Sequence, residues 1–262
     1  MNASTTFTTA IARIPGNNFS EGLTTATFQS GPDFATALEQ HAAYRDALRA
    51  CGVEVTVMQA DENHPDGTFV EDTFVIADGV AVATRPGANS RAGEVAAVAA
   101  TLRQFRPQLE SIEAPGTLDG GDICQVDRHF LIGISQRTNQ SGAEQLAAIL
   151  ARHGYTASMV DIRSHGSLLH LKSGIAYLGD DRFLVAPGFP DIAEIAGYDK
   201  IEVAAAEAYG ANCIRVNNEV LIAAGHPQLA DVLAKLNYKI RALDMSEFAK
   251  MDGGLSCLSL RF

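Results

Sequence analysis

Residues 73–84, TFVIADGVAVAT, form the stretch that decides the fold. Two apolar runs, residues 73–77 and 80–84, flank Asp78-Gly79. Asp-Gly between apolar runs is a strong signal for a tight β-hairpin turn. The stretch therefore predicts a hairpin, and the acids Glu71-Asp72 stand directly before it.

An alanine-rich helix and a short strand precede this hairpin. Residues 34–50 carry Leu38 and Leu48 among their apolar positions at helical spacing, and Cys51-Gly52 follows as a stop signal. Residues 53–58, VEVTVM, alternate as a strand does. The order is thus helix, strand, polar residues and hairpin.

The same order recurs along the chain, and no linker interrupts it. The second round has helix 91–105, strand 111–114 and hairpin 123–134; the third has 143–153, 156–162 and 174–186; the fourth has 192–197, 201–205 and 213–223; the fifth has 227–236, 239–243 and a single strand, 255–262. Successive hairpins start roughly forty to fifty residues apart, a period typical of propellers and other repeat arrays.

The fifth round lacks a second hairpin strand, and residues 6–14, TFTTAIARI, are strand-like and unassigned. Pairing these two segments would close a ring and leave no exposed end. The sequence therefore predicts a five-unit α/β propeller, built as one domain over residues 1–262, with helices outside and strands inside. An α/β sandwich with a mixed sheet is the alternative.

Composition narrows the classes of partner. The chain has 262 residues, 47% of them hydrophobic, and a formal net charge of −11. This charge makes nucleic acid or an anionic membrane an unfavourable partner and is compatible with a cationic small molecule. No apolar run approaches the roughly 20 residues of a membrane span, and no secretory signal is visible at the N-terminus.

The four cysteines, Cys51, Cys124, Cys213 and Cys257, are scattered and show no CxxC pairing or zinc-finger spacing. Reduced thiols in a cytoplasmic protein are the simplest interpretation. No metal or organic cofactor is expected.

Polar residues stand at the entrance of the hairpins, and equivalent positions of a ring converge on its axis. These residues are Asp66, Glu71 and Asp72 in the first unit, Asp119-Gly120-Gly121-Asp122 in the second, His170-Leu171-Lys172-Ser173 in the third, and Cys257 behind Gly253-Gly254 in the fifth; Asn212 in the fourth is interpreted as structural. A thiolate nucleophile, a histidine acid/base and a carboxylate that orients the histidine together make a nucleophilic site.

Each of these residues has an ordinary structural interpretation on its own. A cysteine is commonly a small buried hydrophobe, and a histidine between leucines is commonly a core residue. Arg91 and Arg137 each stand before a helix and suit a helix start or a surface; the planar guanidinium also matches a substrate carboxylate. The coincidence across repeats favours the site.

The chain resembles the dimethylarginine dimethylaminohydrolases (dimethylargininases), members of the guanidine-modifying superfamily that includes arginine deiminase. The matching segments span almost the whole chain: HPDGTFVEDTFVI (64–76), TRPGANSRAGE (84–94), TLDGGDI (117–123), GISQRTNQSGAE (133–144), LLHLKS (168–173) and MSEFAKMDGGLSCLS (245–259). The resemblance implies the five-bladed α/β propeller called a pentein, with ββαβ-type units.

The resemblance also implies a role for each matching residue. Cys257 is expected as nucleophile, His170 as general acid/base, Asp119 as its orienting acid, Asp72 with Glu71 as guanidinium partners, Arg91 and Arg137 as carboxylate partners, and Asp66 with the backbones of Leu23 and Met251 as α-amino partners. The implied reaction hydrolyses Nω-methylated arginine to citrulline and an amine through a covalent thiouronium. Zinc is expected only as an adventitious inhibitor held by thiol and imidazole.

Three other functions stay open. An arginine deiminase or other guanidino-hydrolase would share the core, although the chain has no room for the extra helical domain of arginine deiminases. An amidinotransferase would use an amine in place of water, and a non-catalytic binder of arginine-like cations would not use the thiol. Monomer or homodimer, methyl preference and a lid role for residues 17–25 are likewise undecided.

Overall fold

The computed structural model describes residues 6–165 and 168–262, which fold into three-stranded sheets. The strands are β1 (Thr9–Arg13), β2 (Glu54–Met58), β3 (Phe74–Ala77), β4 (Val80–Ala83), β5 (Glu110–Ser111), β6 (Ile123–Val126), β7 (His129–Ile134), β8 (Thr156–Asp161), β9 (Ile175–Gly179), β10 (Arg182–Val185), β11 (Asp199–Glu202), β12 (Ile214–Val216), β13 (Glu219–Ala223), β14 (Lys239–Leu243) and β15 (Leu260–Arg261). The helices are α1 (Phe34–Ala50), α2 (Glu94–Leu102), α3 (Gln140–Arg152), α4 (Pro227–Lys235) and α5 (Ser246–Ala249).

Each sheet has the same topology. An antiparallel hairpin, such as β3–β4, is joined by a third strand, here β5, that runs parallel to the second hairpin strand. The sheets β6-β7-β8, β9-β10-β11 and β12-β13-β14 repeat this order. The predicted five-bladed propeller of ββαβ units is therefore confirmed, and the sandwich alternative is wrong. The helix and third strand of a unit follow its hairpin, because a parallel pair requires a crossover between its strands.

The two ends of the described chain complete the fifth sheet. Strand β1 pairs antiparallel with β15, with Ala10 opposite Arg261 and Ile11 opposite Leu260, and it pairs parallel with β2. The predicted partnership of the N-terminal strand with the last strand is confirmed. The sheet β15-β1-β2 therefore has the same three-strand topology as the other sheets in the described part of the chain.

The first strands of the sheets surround the ring axis. Strand β6 contacts β9, β9 contacts β12, and β15 contacts β3. Residues of all five first strands line a cavity of about 180 Å³. The apolar side chains pack around this axis in buried clusters, with Phe74, Phe130 and Phe183 among the largest fully buried residues.

Local signals explain where elements begin and turn. The side chains of Asp33 and Asn139 accept from Thr36 N at 2.7 Å and Gly142 N at 2.8 Å, so each caps its helix. The hairpin turns place Gly79 at φ +78° and Asn217 at φ +53°, conformations that glycine and asparagine tolerate best. No helix in the described ranges is long and apolar enough to cross a membrane.

Several predicted elements differ from the structure; the strand predicted at 111–114, for example, is β5, which is only two residues long. The helix predicted at 192–197 is a 3-10 turn, Ala193–Ile195, and the strand predicted at 201–205 is β11, which begins two residues earlier. The strand predicted at 255–262 is reduced to β15. A 3-10 turn, Ser256–Leu258, takes its first part, because Asn212 and Arg261 bind the polar groups of this segment.

Candidate active site

A 3-10 turn precedes the first strand of every sheet. These turns are Val70–Thr73 before β3, Gly120–Asp122 before β6, Leu171–Ser173 before β9, Ala205–Ala211 before β12 and Ser256–Leu258 before β15. The turn before β3 contacts the turns before β6 and β15, and the turn before β6 also contacts the turn before β9. The ring therefore brings together residues that are far apart in the sequence; Asp72 and Cys257, for example, are separated by 185 positions.

His170 and Asp119 form the first pair. His170 Nε2 lies 3.0 Å from Asp119 Oδ2, and Asp119 is fully buried. Burial favours the neutral imidazole, but the charge of Asp72 and the hydrogen bond to Asp119 outweigh it and raise the pKa of His170 to about 9. The ring is therefore an imidazolium at neutral pH and has a proton to donate.

The backbone around Asp119 fixes this pair. Asp119 Oδ1 accepts from Gly87 N at 2.8 Å, and Asp119 N donates to Thr138 Oγ1 at 3.1 Å. A Cβ at Gly121 would lie 2.7 Å from His170 Nδ1 and 2.9 Å from Asp72 Oδ1. Glycine at this position is what allows the imidazole and a second carboxylate to approach the same turn.

Asp72 is held as a carboxylate. Its Oδ2 accepts from Arg91 Nη1 at 2.5 Å and its Oδ1 accepts from Gly121 N at 2.8 Å. Burial alone would raise the pKa of Asp72; the Arg91 guanidinium and the His170 ring reverse this and hold it at about 2. Asp72 therefore offers a permanent negative charge to a cation in the pocket.

Arg91 is buried and largely engaged by protein partners. Its Nε and Nη2 donate to the two carboxylate oxygens of Glu94 at 2.9 and 2.8 Å, and Nη2 also donates to Phe69 O at 3.0 Å. With Nη1 on Asp72, this guanidinium acts first as a fixed counterion. Arg137 lines the same pocket as Arg91. Unlike that of Arg91, its guanidinium has neither an ion pair nor a hydrogen bond within residues 6–165 and 168–262.

Cys257 is a free, half-buried thiol in the turn before β15. Burial, followed by the negative charges of Glu71 and Asp72, raises the pKa of this thiol to about 12. Cys257 N donates to Gly254 O at 3.2 Å. The Cys257 side chain is therefore a neutral thiol, and it lines the same pocket as the protonated His170.

The loop that carries Leu23 forms another side of the pocket. Leu23 N donates to Asp66 Oδ1 at 3.0 Å, and Leu23 itself is 42% exposed. Thr25 N and Thr25 Oγ1 donate to Asp252 Oδ2 at 2.5 and 3.0 Å. These bonds join the loop to both walls of the pocket, next to Met251.

Comparisons with known proteins show which family the chain belongs to. The family model for arginine deiminase matches residues 107–205. A dimethylarginine dimethylaminohydrolase of Pseudomonas aeruginosa is 45% identical over 96% of this chain and 98% of its own length. That of Streptomyces coelicolor is 33% identical over 96% of both chains. This chain belongs to the dimethylarginine dimethylaminohydrolase family.

Solved structures of the family superpose closely on this member. A cysteine-to-serine mutant of the Pseudomonas aeruginosa enzyme, complexed with citrulline, has a TM-score of 0.94 at 44% identity and covers 98% of this chain and 100% of that one. A cyanobacterial arginine dihydrolase domain, at 18% identity and a TM-score of 0.85, shares the fold.

Most of the residues predicted for the site of this family member line one pocket. They are Leu23, Asp66, Asp72, Arg91, Arg137, His170, Met251 and Cys257. Asp119 lies behind His170. Glu71 lies elsewhere: it lines the axial cavity, and its Oε1 accepts from Lys172 at 2.6 Å and Arg261 at 3.2 Å. The roles assigned to these residues stay predictions.

The sequence analysis assigned no role to three residues of the site: Glu94 and Asp252 were not singled out, and Asp122 was named only as a polar residue at the second hairpin entrance. Glu94 stands three positions after Arg91, an acid–base spacing that a helix start brings together. Asp122 accepts from Thr138 Oγ1 at 2.6 Å and Leu171 N at 2.9 Å, so it fixes the turn that follows His170. Asp252 accepts hydrogen bonds from Thr25 in the loop that carries Leu23. The sequence gave no signal for this contact, because the two residues are more than 200 positions apart.

Three side chains of this family member could share a cation. The ligand atoms of Asp72, Asp119 and His170 lie within 4.8 Å of one another. Arg91 and the imidazolium already neutralise part of this charge, so a metal ion would have to compete with both.

Proposed function

We propose that this chain hydrolyses Nω-methylated arginine, namely asymmetric dimethylarginine and monomethylarginine, to citrulline and dimethylamine or methylamine. One observation carries the proposal: in a member of the dimethylarginine dimethylaminohydrolase family, Cys257, His170 and Asp72 line one pocket. A thiol, an imidazolium and a carboxylate supply the nucleophile, the proton and the anion that cleavage of a guanidinium needs.

In this proposal Asp72 binds the substrate guanidinium, and the other end of the pocket binds the amino-acid group. Arg137, whose guanidinium is uncommitted in the described part of the chain, binds the α-carboxylate, with Arg91 as a second donor. Asp66 and the backbones of Leu23 and Met251 bind the α-ammonium group. Glu71 contributes its charge from behind the thiol rather than a contact.

The substrate cation activates the nucleophile. Its charge offsets the anions that raise the pKa of Cys257, so the thiol loses its proton to solvent and the thiolate adds to the guanidinium carbon. His170 then donates its proton to the methylated nitrogen, and the carbon–nitrogen bond breaks to release the amine. The product is a covalent thiouronium on Cys257.

Hydrolysis of the thiouronium restores the enzyme. The now neutral His170 takes a proton from water, and the oxygen adds to the same carbon. The carbon–sulfur bond breaks, the electron pair leaves on Cys257, and the added hydroxyl group loses its remaining proton to the sulfur through solvent. This returns Cys257 to the neutral thiol and leaves the ureido group of citrulline. Asp119 holds the imidazole in one orientation through both proton transfers.

One side-by-side assay tests this function against its rivals. Citrulline release is measured from asymmetric dimethylarginine, monomethylarginine and arginine, and loss of agmatine is measured in parallel. We expect turnover of the methylated substrates, and preference for arginine would favour an arginine deiminase, the family whose model matches residues 107–205. Addition of a primary amine tests for an amidinotransferase.

The Cys257→Ser variant provides the control. We expect it to bind methylarginine, as measured by calorimetry, with no citrulline released. Near-normal turnover in this variant would overturn the assignment of the nucleophile. In the wild type, iodoacetamide labelling of Cys257 that substrate blocks, without any turnover, would identify a non-catalytic binder.

We further propose a reducing, cytoplasmic location, since all four cysteines are unpaired thiols. Mass spectrometry of thiols alkylated at the moment of cell lysis tests it; a disulfide among the four would contradict it.

A further inference from the structure

The turn that carries Cys257 has little main-chain support. Strand β15, directly after it, is two residues long and makes two pairings with β1. Two side chains, those of Asn212 and Arg261, hold this turn in place instead. Asn212 accepts from Ser256 N at 3.0 Å and donates to Ser256 Oγ at 3.2 Å. Arg261 binds both sides of the cysteine.

The Arg261 side chain lines the axial cavity, and its guanidinium binds the turn of Cys257 on both sides of the cysteine. Its Nη1 donates to Ser256 O at 3.2 Å, to Ser259 O at 3.0 Å and to Ser259 Oγ at 2.8 Å. Ser256 and Ser259 flank Cys257 in the sequence, so one nitrogen closes a loop around the thiol's backbone. The hydroxyl of Tyr44, 2.7 Å from Ser259 Oγ, extends this buried contact.

The second terminal nitrogen of Arg261 links this turn to the histidine. Arg261 Nη2 donates to Glu71 Oε1 at 3.2 Å, and the same oxygen accepts from Lys172 Nζ at 2.6 Å. Lys172 belongs to the 3-10 turn that follows His170. One carboxylate therefore connects the turn of the thiol to the turn of the imidazole, across two units of the ring.

We infer that Arg261 is a positioning residue: its guanidinium sets the place of Cys257 relative to His170 through Ser256, Ser259 and Glu71. This inference rests on the proposed function. The planar fork is essential to it, because only a guanidinium reaches the turn and the carboxylate with separate nitrogens. A lysine at this position keeps the charge and loses the fork.

Arg261→Lys tests the inference, with Arg215→Lys as the matched control. Arg215 lies on β12, lines the same cavity and binds Leu178 O and Asp180, away from the cysteine. We expect kcat of Arg261→Lys to fall about a hundredfold, as for a misplacement of about 1 Å, and KM to change less than about threefold. Arg215→Lys should keep kcat within about twofold of the wild type.

A second measurement shows whether Arg261→Lys changes the position of Cys257 or its ionisation, and it does not depend on turnover. The rate of Cys257 alkylation by iodoacetamide against pH reports the thiolate, does not need the substrate, and should be unchanged in Arg261→Lys. A kcat within threefold of the wild type would overturn the inference, as would a shifted alkylation profile that accounts for the loss. If the wild type releases no citrulline, the proposed function fails instead.

If Arg261→Lys does not fold, Ser259→Ala keeps the inference testable. It removes the Oγ that accepts from Arg261 and leaves the two carbonyl partners. We expect kcat to fall roughly three- to tenfold, as for one lost hydrogen bond, with KM unchanged. Wild-type kcat in a folded Ser259→Ala would refute the inference.

Discussion

The reactivity of Cys257 in the absence of substrate should be far lower than that of an ordinary thiol. The pocket is surrounded by acids, and burial together with Glu71 and Asp72 raises the pKa of this thiol to about 12. At pH 7 the thiolate fraction is then about 10⁻⁵, against about 3% for a thiol with an ordinary pKa of about 8.5.

The two effects of a raised pKa oppose each other in the rate. The thiolate is about 10³·⁵-fold scarcer, but a more basic thiolate is more nucleophilic, and this recovers roughly 10¹·⁵-fold. Thiol–disulfide exchange of Cys257 with 2-hydroxyethyl disulfide should therefore run about a hundredfold slower than exchange of a free cysteine peptide at pH 7. Its rate should rise about tenfold per pH unit without a plateau below pH 10.

Mass spectrometry of the modified peptides distinguishes Cys257 from the other three thiols. The Asp72→Asn variant removes one of the anions that raise this pKa, so its exchange should be faster at pH 7. Asp46→Asn, at an exposed surface position beside Arg49, is the control and should have no effect. A plateau below pH 9, or exchange as fast as the free peptide at pH 7, would show that the resting Cys257 is not a neutral thiol with a raised pKa.

Three further perturbations follow from other contacts. Burial lowers the pKa of His41 to about 3, so the unfolded chain binds a proton below pH 6.5 that the folded chain does not. In urea unfolding, the stability of the wild type relative to His41→Leu should therefore fall by about 2 kcal/mol from pH 7.5 to pH 5, whereas its stability relative to the half-buried control His129→Gln should stay constant. Deletion of residues 6–14 removes β1 from between β15 and β2, so both the unfolding temperature and citrulline release should drop, and a stable, active deletion variant would contradict ring closure. Asp252→Asn weakens the bonds from Thr25, so KM should rise roughly tenfold with kcat little changed, whereas Asp244→Asn should alter neither; an unchanged KM would show that the loop needs no latch.

Signals that act over a few residues made most of the fold predictable. The hairpin turns depend on residues that accept a positive φ, such as Gly79 and Asn217, and those are visible in the sequence. The pairing of residues 6–14 with the last strand followed from counting the repeats. The prediction of a helix at 192–197 was wrong because six residues are too few to form a stable α-helix without packing. The segment forms a 3-10 turn instead.

The site was predictable in position and less so in contacts. Matching hairpin entrances placed Asp72, Asp119, His170 and Cys257 near the axis, since equivalent residues of a ring converge. Whether an arginine is free or committed depends on side chains that fold against it. Arg91 is tied to Glu94 and Asp72, while Glu71 turns to Lys172 and Arg261. The i,i+3 spacing indicates the Arg91–Glu94 pair, whereas no spacing in the sequence indicates the partners of Glu71.

Asp72 contributes to both resting protonation states of the site. Asp72 raises the pKa of His170. Burial, the charge of Glu71 and the charge of Asp72 together raise the pKa of Cys257, so Asp72 helps to keep the imidazole charged and the thiol neutral. A substrate guanidinium beside Asp72 would weaken both effects at once. The thiol would then ionise just as the imidazolium becomes a stronger acid toward the leaving amine. In the proposed function, a cation of this shape is therefore both the substrate and the activator of Cys257, and a neutral isostere that fits the pocket should leave Cys257 unreactive.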